Sequence, residues 1–191
     1  MAEYIIQDTT LIGIADSIRA KTGKTDSIPV PDMCSQIDSI PSGGDDETLK
    51  AIGRGHSVAE FEDAVKRAHS AGLWVTSHVI LGLPGETLKD FEKTAEVIRD
   101  LGISAVKIHP LHIVRDTRLA ESYRRGEFEL LSFEAYCEAV ARFIRIVGKD
   151  VAIERFSGEA QNETLVAPDW TGDRNRIVSQ VERLLLAQNI G

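Results

Sequence analysis

Three consecutive helix–glycine–strand units limit what this chain can fold into. In each unit an amphipathic helix ends at a glycine (Gly72, Gly102 or Gly148) and a mostly apolar segment follows at once. The predicted strands are Leu73–Leu81, Ile103–His109 and Val151–Phe156. Helices that alternate with strands make right-handed crossovers between parallel strands. The sequence therefore predicts an α/β fold with three parallel strands and helices.

The remaining helices follow from the same periodicity. Two of the helices in these units are predicted at Leu88–Leu101 and Phe133–Val147, and a shorter helix at Arg118–Arg125. The polar stretch Ser157–Arg174 is predicted to be a loop that Trp170 anchors. The chain then closes on an amphipathic helix whose apolar positions are Ile177, Val181, Leu184 and Leu185.

The stretch His78–Thr87 joins the first strand to the second helix and contains the pattern of a ligand site. Its apolar run ends at Gly82, a proline and a glycine follow, and Thr87 with Asp90 fits a helix-capping pair. Ligands of α/β proteins bind at such strand ends because free backbone N–H groups converge there. The spacing of the two glycines, Gly-x-x-Gly, is a weak signal by itself.

Alternation along the strands predicts that one face of the sheet is polar. His78 and Ile80 point away from their apolar neighbours in the first strand, as Lys107 and His109 do in the second. In the third strand, Ile153 and Arg155 are predicted on one face and Ala152, Glu154 and Phe156 on the other. Two interpretations remain: a ligand-lined cavity, which we favour, and an uncovered, solvated face.

Metal and nucleophile chemistry find little support in the residue patterns. His109 and His112 form a His-x-x-His, but on an extended segment they are predicted to lie on opposite sides and not to chelate. No metal site is predicted, and no Ser–His–Asp, nucleophile-elbow or phosphate-loop motif is present.

Charge and cysteine content restrict the class of protein. The net charge of −8 argues against a generic nucleic-acid binder. No apolar run has the length of a membrane span, and the first residues lack the order of a signal peptide, so a cytoplasmic protein is expected. Cys34 and Cys137 are expected to be free thiols.

Residues 1–44 differ in composition from residues 45–191, and we predict that these are two modules. The first contains two short predicted helices, Asp8–Lys21 and Asp32–Ile40, and the linker Pro41–Gly44. Its ADSIRAKTGKTDSI sequence, followed by a proline and a DM…I…I helix, resembles a small helical repeat of phage tail and structural proteins. That resemblance implies an interaction module without chemistry of its own.

Residues 46 to about 168 resemble the C-terminal half of a radical S-adenosylmethionine (SAM) protein. The similarity is to an uncharacterised bacterial branch related to elongator-type and coproporphyrinogen-dehydrogenase-like enzymes. The segments that carry it are Glu47–His56, His78–Thr87, Val106–His112, Gly126–Phe128 and Leu131–Tyr136, with a weaker extension through Leu165–Pro168 and Trp170.

The resemblance implies a fold and a set of site residues. In that family a (β/α) partial barrel holds a [4Fe–4S] cluster on a Cys-x3-Cys-x2-Cys loop, and the cluster cleaves SAM to a 5′-deoxyadenosyl radical. Carried over, the expected contacts of SAM are Ile80, Gly82, His109, Pro110 and Leu111. The expected neighbours of the substrate cavity are His78, Lys107 and His112. The chain would thus be half of a (β/α) barrel preceded by a small helical module.

The cysteines of this chain depart from that pattern. Cys34 and Cys137 cannot supply three closely spaced thiolates, and the sequence before Asp46 has no counterpart of the family's first four strands. We therefore expect no catalytic residues, no bound cofactor and no independent activity in this chain. The join near Gly43–Asp46 is compatible with an engineered chimera, a recombination product or a gene-assembly artefact.

An alternative function is a structural protein that oligomerises. Half a barrel exposes strand edges and an apolar face, and either these edges or residues 1–44 would drive self-association. On both interpretations no membrane partner and no strong nucleic-acid partner are expected.

Overall fold

A computed structural model of the chain describes residues 46–52, 55–158 and 164–187. The two helices and the linker predicted within residues 1–44, and with them Cys34, lie outside the described residues. None of the helices in these three ranges is long and apolar enough to cross a bilayer.

The centre of the fold is a three-stranded parallel sheet, which confirms the predicted fold class. Its strands are β1 (Thr76–Leu81), β2 (Ala105–Pro110) and β4 (Ala152–Arg155), in the spatial order β1-β2-β4. Each strand begins later than predicted, by one to three residues. The residues just before β1 and β2 are hydrogen-bonded to each other outside the regular strand pairing. The N–H groups of Ser104 and Ala105 both donate to Val75 O, at 3.0 and 3.1 Å.

The described ranges contain six α-helices. They are α1 (Asp46–Ala51), α2 (Val58–Ser70), α3 (Leu88–Asp100), α4 (Arg118–Arg124), α5 (Phe133–Val147) and α6 (Arg174–Ala187). The bounds of α5 are as predicted, because Ser132 caps its start through Ala135 N and Gly148, with φ +76°, follows its last residue. The helices predicted at Leu88–Leu101 and Arg118–Arg125 each end one residue earlier than predicted.

One face of the sheet is covered by helices and forms the main core. Val79, Leu81, Val106 and Ile108 are almost fully buried there. They pack in one cluster with side chains from α2, α3, α5 and α6, among them Phe61, Ile98, Phe143 and Ile177. Burying this one apolar face is what stabilises the sheet, and it leaves the opposite face to polar side chains.

The segment predicted to be one long loop contains regular structure, so that prediction was wrong. Residues Leu165–Ala167 form strand β5, which pairs antiparallel with the two-residue strand β3 (Ile113–Val114). A 3₁₀ helix at Asp169–Gly172 follows. Such short strands form because they pair with each other and not because of local propensity. The pairing continues beyond the strands, where Arg115 N donates to Thr164 O at 2.8 Å.

Trp170 does anchor this segment, as predicted. Its ring lies 5.1 Å from the ring of Tyr136 and 6.1 Å from that of Phe133, centroid to centroid, and both partners are on α5. Tyr136 is fully buried and its hydroxyl donates to Phe156 O at 2.9 Å. The contacts of Trp170 with these two rings therefore hold its segment over the carboxyl end of the sheet.

Candidate functional site at the polar face of the sheet

The face of the sheet opposite the helices carries the polar side chains that alternation predicts. His78 is the register partner of Lys107, and Ile80 is the partner of His109, so these four side chains emerge on the same side of β1 and β2. Thr76 and Glu154 join them from the start of β1 and from β4. We call these six residues the polar face: Thr76, His78, Ile80, Lys107, His109 and Glu154.

An ion pair connects the central strand to the edge strand. Lys107 Nζ lies 3.2 Å from a Glu154 carboxylate oxygen, and Thr76 Oγ1 donates to the other oxygen at 3.3 Å. The side chains of Lys107 and Glu154 are 25% and 38% exposed, so the pair is accessible to water and contributes little to stability. Glu154 is therefore held toward the amino-terminal end of the polar face.

The third strand only partly follows the predicted alternation. Glu154 lies on the polar face and Ile153 packs against the core. Phe156, expected beside Glu154, instead packs against the core, because β4 ends at Arg155 and alternation stops there. A register irregularity pairs Lys107 with Arg155.

His109 lies at the carboxyl-terminal end of the polar face in an unusual environment. Its ring stacks on that of His78, with centroids 5.6 Å apart and planes inclined by 13°. Burial, together with the charges of His78, Arg155, His112 and Lys107, lowers the pKa of His109 to about 4. Because its folded-state pKa lies below the ordinary value near 6.5, His109 costs stability as the pH falls from about 6.5 to 4.

His112 lies beside His109, contrary to the prediction that the two point to opposite sides. A Cβ atom placed on Gly158 would lie 2.9 Å from His109 Nδ1 and 3.1 Å from His112 Cε1, so both rings border one glycine. Alternation fails here because β2 ends at Pro110 and Leu111 N turns to donate to Leu81 O at 3.1 Å. Burial lowers the pKa of His112 as well.

Both of these histidines have a buried nitrogen without a hydrogen-bond partner among the described residues. These atoms are Nε2 of His109 and Nε2 of His112. Buried polar atoms are nearly always paired, so an unpaired nitrogen on each of two neighbouring rings marks a place where a polar ligand would be accommodated. Gly158 borders both rings, and neither it nor Arg155 and Glu154 were among the predicted site residues.

The predicted SAM contacts do not line one common pocket. Ile80 and His109 belong to the polar face, with Ile80 packing against a small cluster that includes Leu83, Leu111 and Ile113. Gly82, Pro110 and Leu111 line an apolar crevice with Leu131 and Trp170. The crevice has a volume of about 10 Å³, room for about one water molecule, so it does not hold an adenine ring.

Gly82 is where the chain turns from β1 toward α3. Its φ of +94° is a conformation that side chains disfavour, and a Cβ there would lie 3.1 Å from Leu131 Cδ1. Beyond it, Leu83 N donates to a Glu86 carboxylate oxygen at 2.8 Å. Thr87 N donates to Asp90 at 2.7 Å, which confirms the predicted capping pair at the start of α3.

The thiol that the structure describes does not fit a metal or cluster site. Cys137 is buried in α5, and burial raises its pKa to about 11, which favours the protonated form over the thiolate that iron requires. Across the described residues, no group of three or more His, Cys, Asp or Glu side chains could hold a metal ion. Within the described ranges, the residues therefore fit a polar ligand at the polar face and supply no set of thiolates for a [4Fe–4S] cluster.

Comparison with family models places the chain in a class. Residues 39–98 match the model of the Radical SAM superfamily, and residues 103–186 match that of the Radical_SAM C-terminal domain. The chain thus contains a C-terminal part of a radical SAM protein, as its strand and turn motifs predicted.

The chain is also similar to several individual proteins. The uncharacterized protein MJ0486 of Methanocaldococcus jannaschii is 39% identical over 140 residues, which are 73% of this chain and 44% of that protein. Protein YhcC of Escherichia coli is 34% identical over 140 residues, 73% of this chain and 45% of that protein. A tRNA-2-methylthio-N(6)-dimethylallyladenosine synthase of Aromatoleum aromaticum is 38% identical over 78 residues, 40% and 18% of the two chains. The chain spans less than half the length of these relatives.

A solved structure supports the fold. The chain is similar to Elp3 of the archaeon Methanocaldococcus infernus, with a TM-score of 0.66 and 26% identity over 76% of this chain and 35% of that one. The resemblance to a phage tail repeat in residues 1–44 stays a prediction.

Proposed function

We propose that residues 45–191 supply the SAM-adenosine and substrate side of a radical SAM barrel, and that this chain alone is not catalytic. The observation that carries the proposal is the polar face of a three-stranded parallel sheet whose opposite face is covered by α2, α3, α5 and α6. In a barrel built of such units the helices are outside and the active site lies at the carboxyl-terminal end of the strands.

The residues of the polar face fit a nucleoside better than the crevice behind them does. Ile80 offers an apolar surface, and the unpaired Nε2 of His109 offers a hydrogen bond to a base or ribose. Gly82, Pro110 and Leu111 have an indirect role in this proposal. They lie at the ends of β1 and β2 and so fix the positions of Ile80 and His109. Bound together with a cluster, SAM supplies the 5′-deoxyadenosyl radical of this family.

The cluster itself has no place among the residues of this chain. The sequence contains two cysteines, 34 and 137, and the second is a buried thiol of raised pKa. Any cluster that serves this half-barrel would need ligands from elsewhere. We therefore propose that SAM binds weakly to the isolated chain and is not cleaved by it.

Anaerobic reconstitution tests this proposal. The full chain is treated with ferrous iron, sulfide and a reductant, and bound iron, bound sulfide and 5′-deoxyadenosine are then measured. We expect far less than one [4Fe–4S] per chain and no 5′-deoxyadenosine. A stoichiometric cluster with SAM cleavage would contradict the proposal.

Calorimetry with SAM at millimolar concentration tests the binding half of the proposal. We expect weak heat of binding that His109→Gln reduces, because the substitution removes the ring whose Nε2 has no partner. The matched control is His69→Gln, a half-buried histidine on α2, which should bind SAM like the parent chain. Equal binding by both variants, or none by the parent, would count against a SAM site at the polar face.

A further inference from the structure

The carboxyl-terminal end of the polar face concentrates basic groups in an acidic chain. The protein carries a net charge of −8. At this point, however, Lys107 is the register partner of both His78 and Arg155. His78 stacks on His109, which borders Gly158 together with His112. The charges of His78, Lys107, Arg155 and His112 all act to lower the pKa of His109. A local basic group within an acidic protein indicates attraction for an anion at that point.

The one carboxylate of the polar face does not neutralise this end. Glu154 is drawn toward the amino-terminal end of the sheet, where it accepts a hydrogen bond from Thr76, the first residue of β1. His109 and His112 lie at the other end, around Gly158. Lys107 lies between the two ends, in contact with Glu154 and still 25% exposed in its side chain.

His112 gives this basic end a free hydrogen-bonding nitrogen. A neutral imidazole donates from one nitrogen, and the buried Nε2 of His112 is not used by any described residue. Lys107 adds up to three donors and Arg155 up to five. These donors outnumber the two oxygens of a carboxylate and suit a phosphoryl group, which offers three.

We propose that the carboxyl-terminal end of the polar face binds a phosphoryl group of the substrate, with Lys107, Arg155 and His112 as its ligands and His109 beside it. The proposal rests on the proposed function, because it assumes that this face is the substrate side of the barrel. It names the substrate class, a phosphate-bearing molecule, which the family resemblance alone does not provide.

Anion binding at this position has a consequence for the histidines. A dianion beside His109 offsets the repulsion from Lys107 and Arg155 and so favours the protonated ring. Binding therefore takes up protons, and affinity increases as the pH falls. The charged and titratable groups that face His109 from the neighbouring elements are His78 on β1, Lys107 on β2, Arg155 on β4 and His112 after β2, with Glu154 beside Lys107.

Histidine NMR on the full chain tests the proposal, with inorganic sulfate as the probe. Sulfate is a tetrahedral dianion whose charge stays constant between about pH 5 and 8, where histidines titrate. The imidazole resonances are assigned by replacing each of the five histidines in turn. We expect sulfate to raise the pKa of His109 by about one unit and to move the His112 resonance. Acetate at matched ionic strength should have a clearly smaller effect.

Charge variants locate the site. Lys107→Gln and Arg155→Gln should each weaken sulfate binding by about three- to tenfold, since each removes one cation from the site. Lys66→Gln removes the same charge from an exposed position on α2 and should bind sulfate like the parent chain. Circular dichroism of each variant confirms that it is folded, and Arg155, at the exposed end of β4, is the less disruptive of the two positions.

Three results would overturn the proposal. They are the absence of any sulfate-dependent shift of His109, an equal shift with acetate, and an equal loss of binding in Lys66→Gln. The experiment uses neither SAM nor iron. A failure here would therefore leave the SAM-binding proposal standing, and an absence of SAM binding would leave a positive sulfate result intact.

Discussion

Gly158 is the residue that closes the polar face at its carboxyl-terminal end. It is buried, and the position of a Cβ atom on it lies 2.9 Å from His109 Nδ1 and 3.1 Å from His112 Cε1. The first distance is shorter than real carbon contacts allow, so any larger residue must displace one of the two rings. Space for the two imidazoles therefore depends on glycine at this position.

Gly158→Ala should lower the free energy of unfolding by about 1–3 kcal/mol, because overpacking a filled site costs that much. It should also shift the resonances of both imidazoles. Urea unfolding and histidine NMR measure the two effects. The control is Gly172→Ala, where a Cβ would have no neighbour within 4 Å. Equal stability of the two variants with unchanged imidazole resonances would refute this packing.

At the residue scale, the sequence predicted which side chains of β1 and β2 share the polar face. It did not predict the contacts that bring His112 and Gly158 to His109. Alternation correctly placed His78, Ile80, Lys107 and His109 on one face, because alternation is a local property of a strand. It misplaced His112, which follows the end of β2, where the rule no longer holds. The involvement of Gly158 depends on a contact between distant parts of the chain, and no local pattern reports it.

At the scale of elements, the start of α3 fixes the turn that follows β1. Thr87 N and Thr87 Oγ1 both donate to Asp90 Oδ2 at 2.7 Å, and these hydrogen bonds lower the pKa of the Asp90 carboxyl. The carboxylate therefore satisfies a backbone N–H that the first turn of the helix leaves unpaired.

Asp90→Ala should destabilise the chain by about 1 kcal/mol at pH 7, the usual value for a lost helix cap. The contribution is present above the pKa of the unfolded carboxyl, about 4, and is lost as the pH falls through the lower folded-state value. Urea unfolding at neutral and acidic pH measures it. Glu96→Ala, at an exposed position of the same helix, should change stability by less than about 0.5 kcal/mol at either pH. If the two variants lose the same stability, the cap does not contribute.

Elements differ in how far the sequence reveals them. Helix α5 was predicted to the residue, because its apolar stripe, its serine cap and its terminal glycine all act locally. Strands β3 and β5 were missed, because two- and three-residue strands carry no periodicity and form only by pairing with each other. Residues 113–114 and 165–167 are about fifty positions apart, so the pairing is a tertiary contact.

For the whole molecule, the open edges of the sheet are one of the two surfaces that we predict for self-association; the other is residues 1–44. Among the described residues, β1 and β4 each have a strand neighbour on one side only. β4 is four residues long and mostly exposed. Unpaired edges of a parallel sheet offer backbone hydrogen bonds to another chain.

We predict that the chain self-associates, and light scattering over a range of concentrations measures it. The full chain should have a mass above 21.0 kDa that rises with concentration. A chain of residues 45–191 should associate as well if the sheet edges are responsible, and stay monomeric if residues 1–44 are. A full chain that is monomeric at every concentration, and stays so after residues 1–44 are removed, would refute self-association.

The two tryptophans are intrinsic fluorescent probes of different parts of the molecule. Trp170 packs between Phe133 and Tyr136 over the carboxyl end of the sheet, whereas Trp74, before β1, is 67% exposed. Emission from Trp170 should lie to the blue of that from Trp74, because aromatic rings shield the first indole and water surrounds the second. A dissolved ionic quencher should reduce the fluorescence of Trp74 before that of Trp170. What remains of the signal then comes from the end of the sheet where His109 and Gly158 lie.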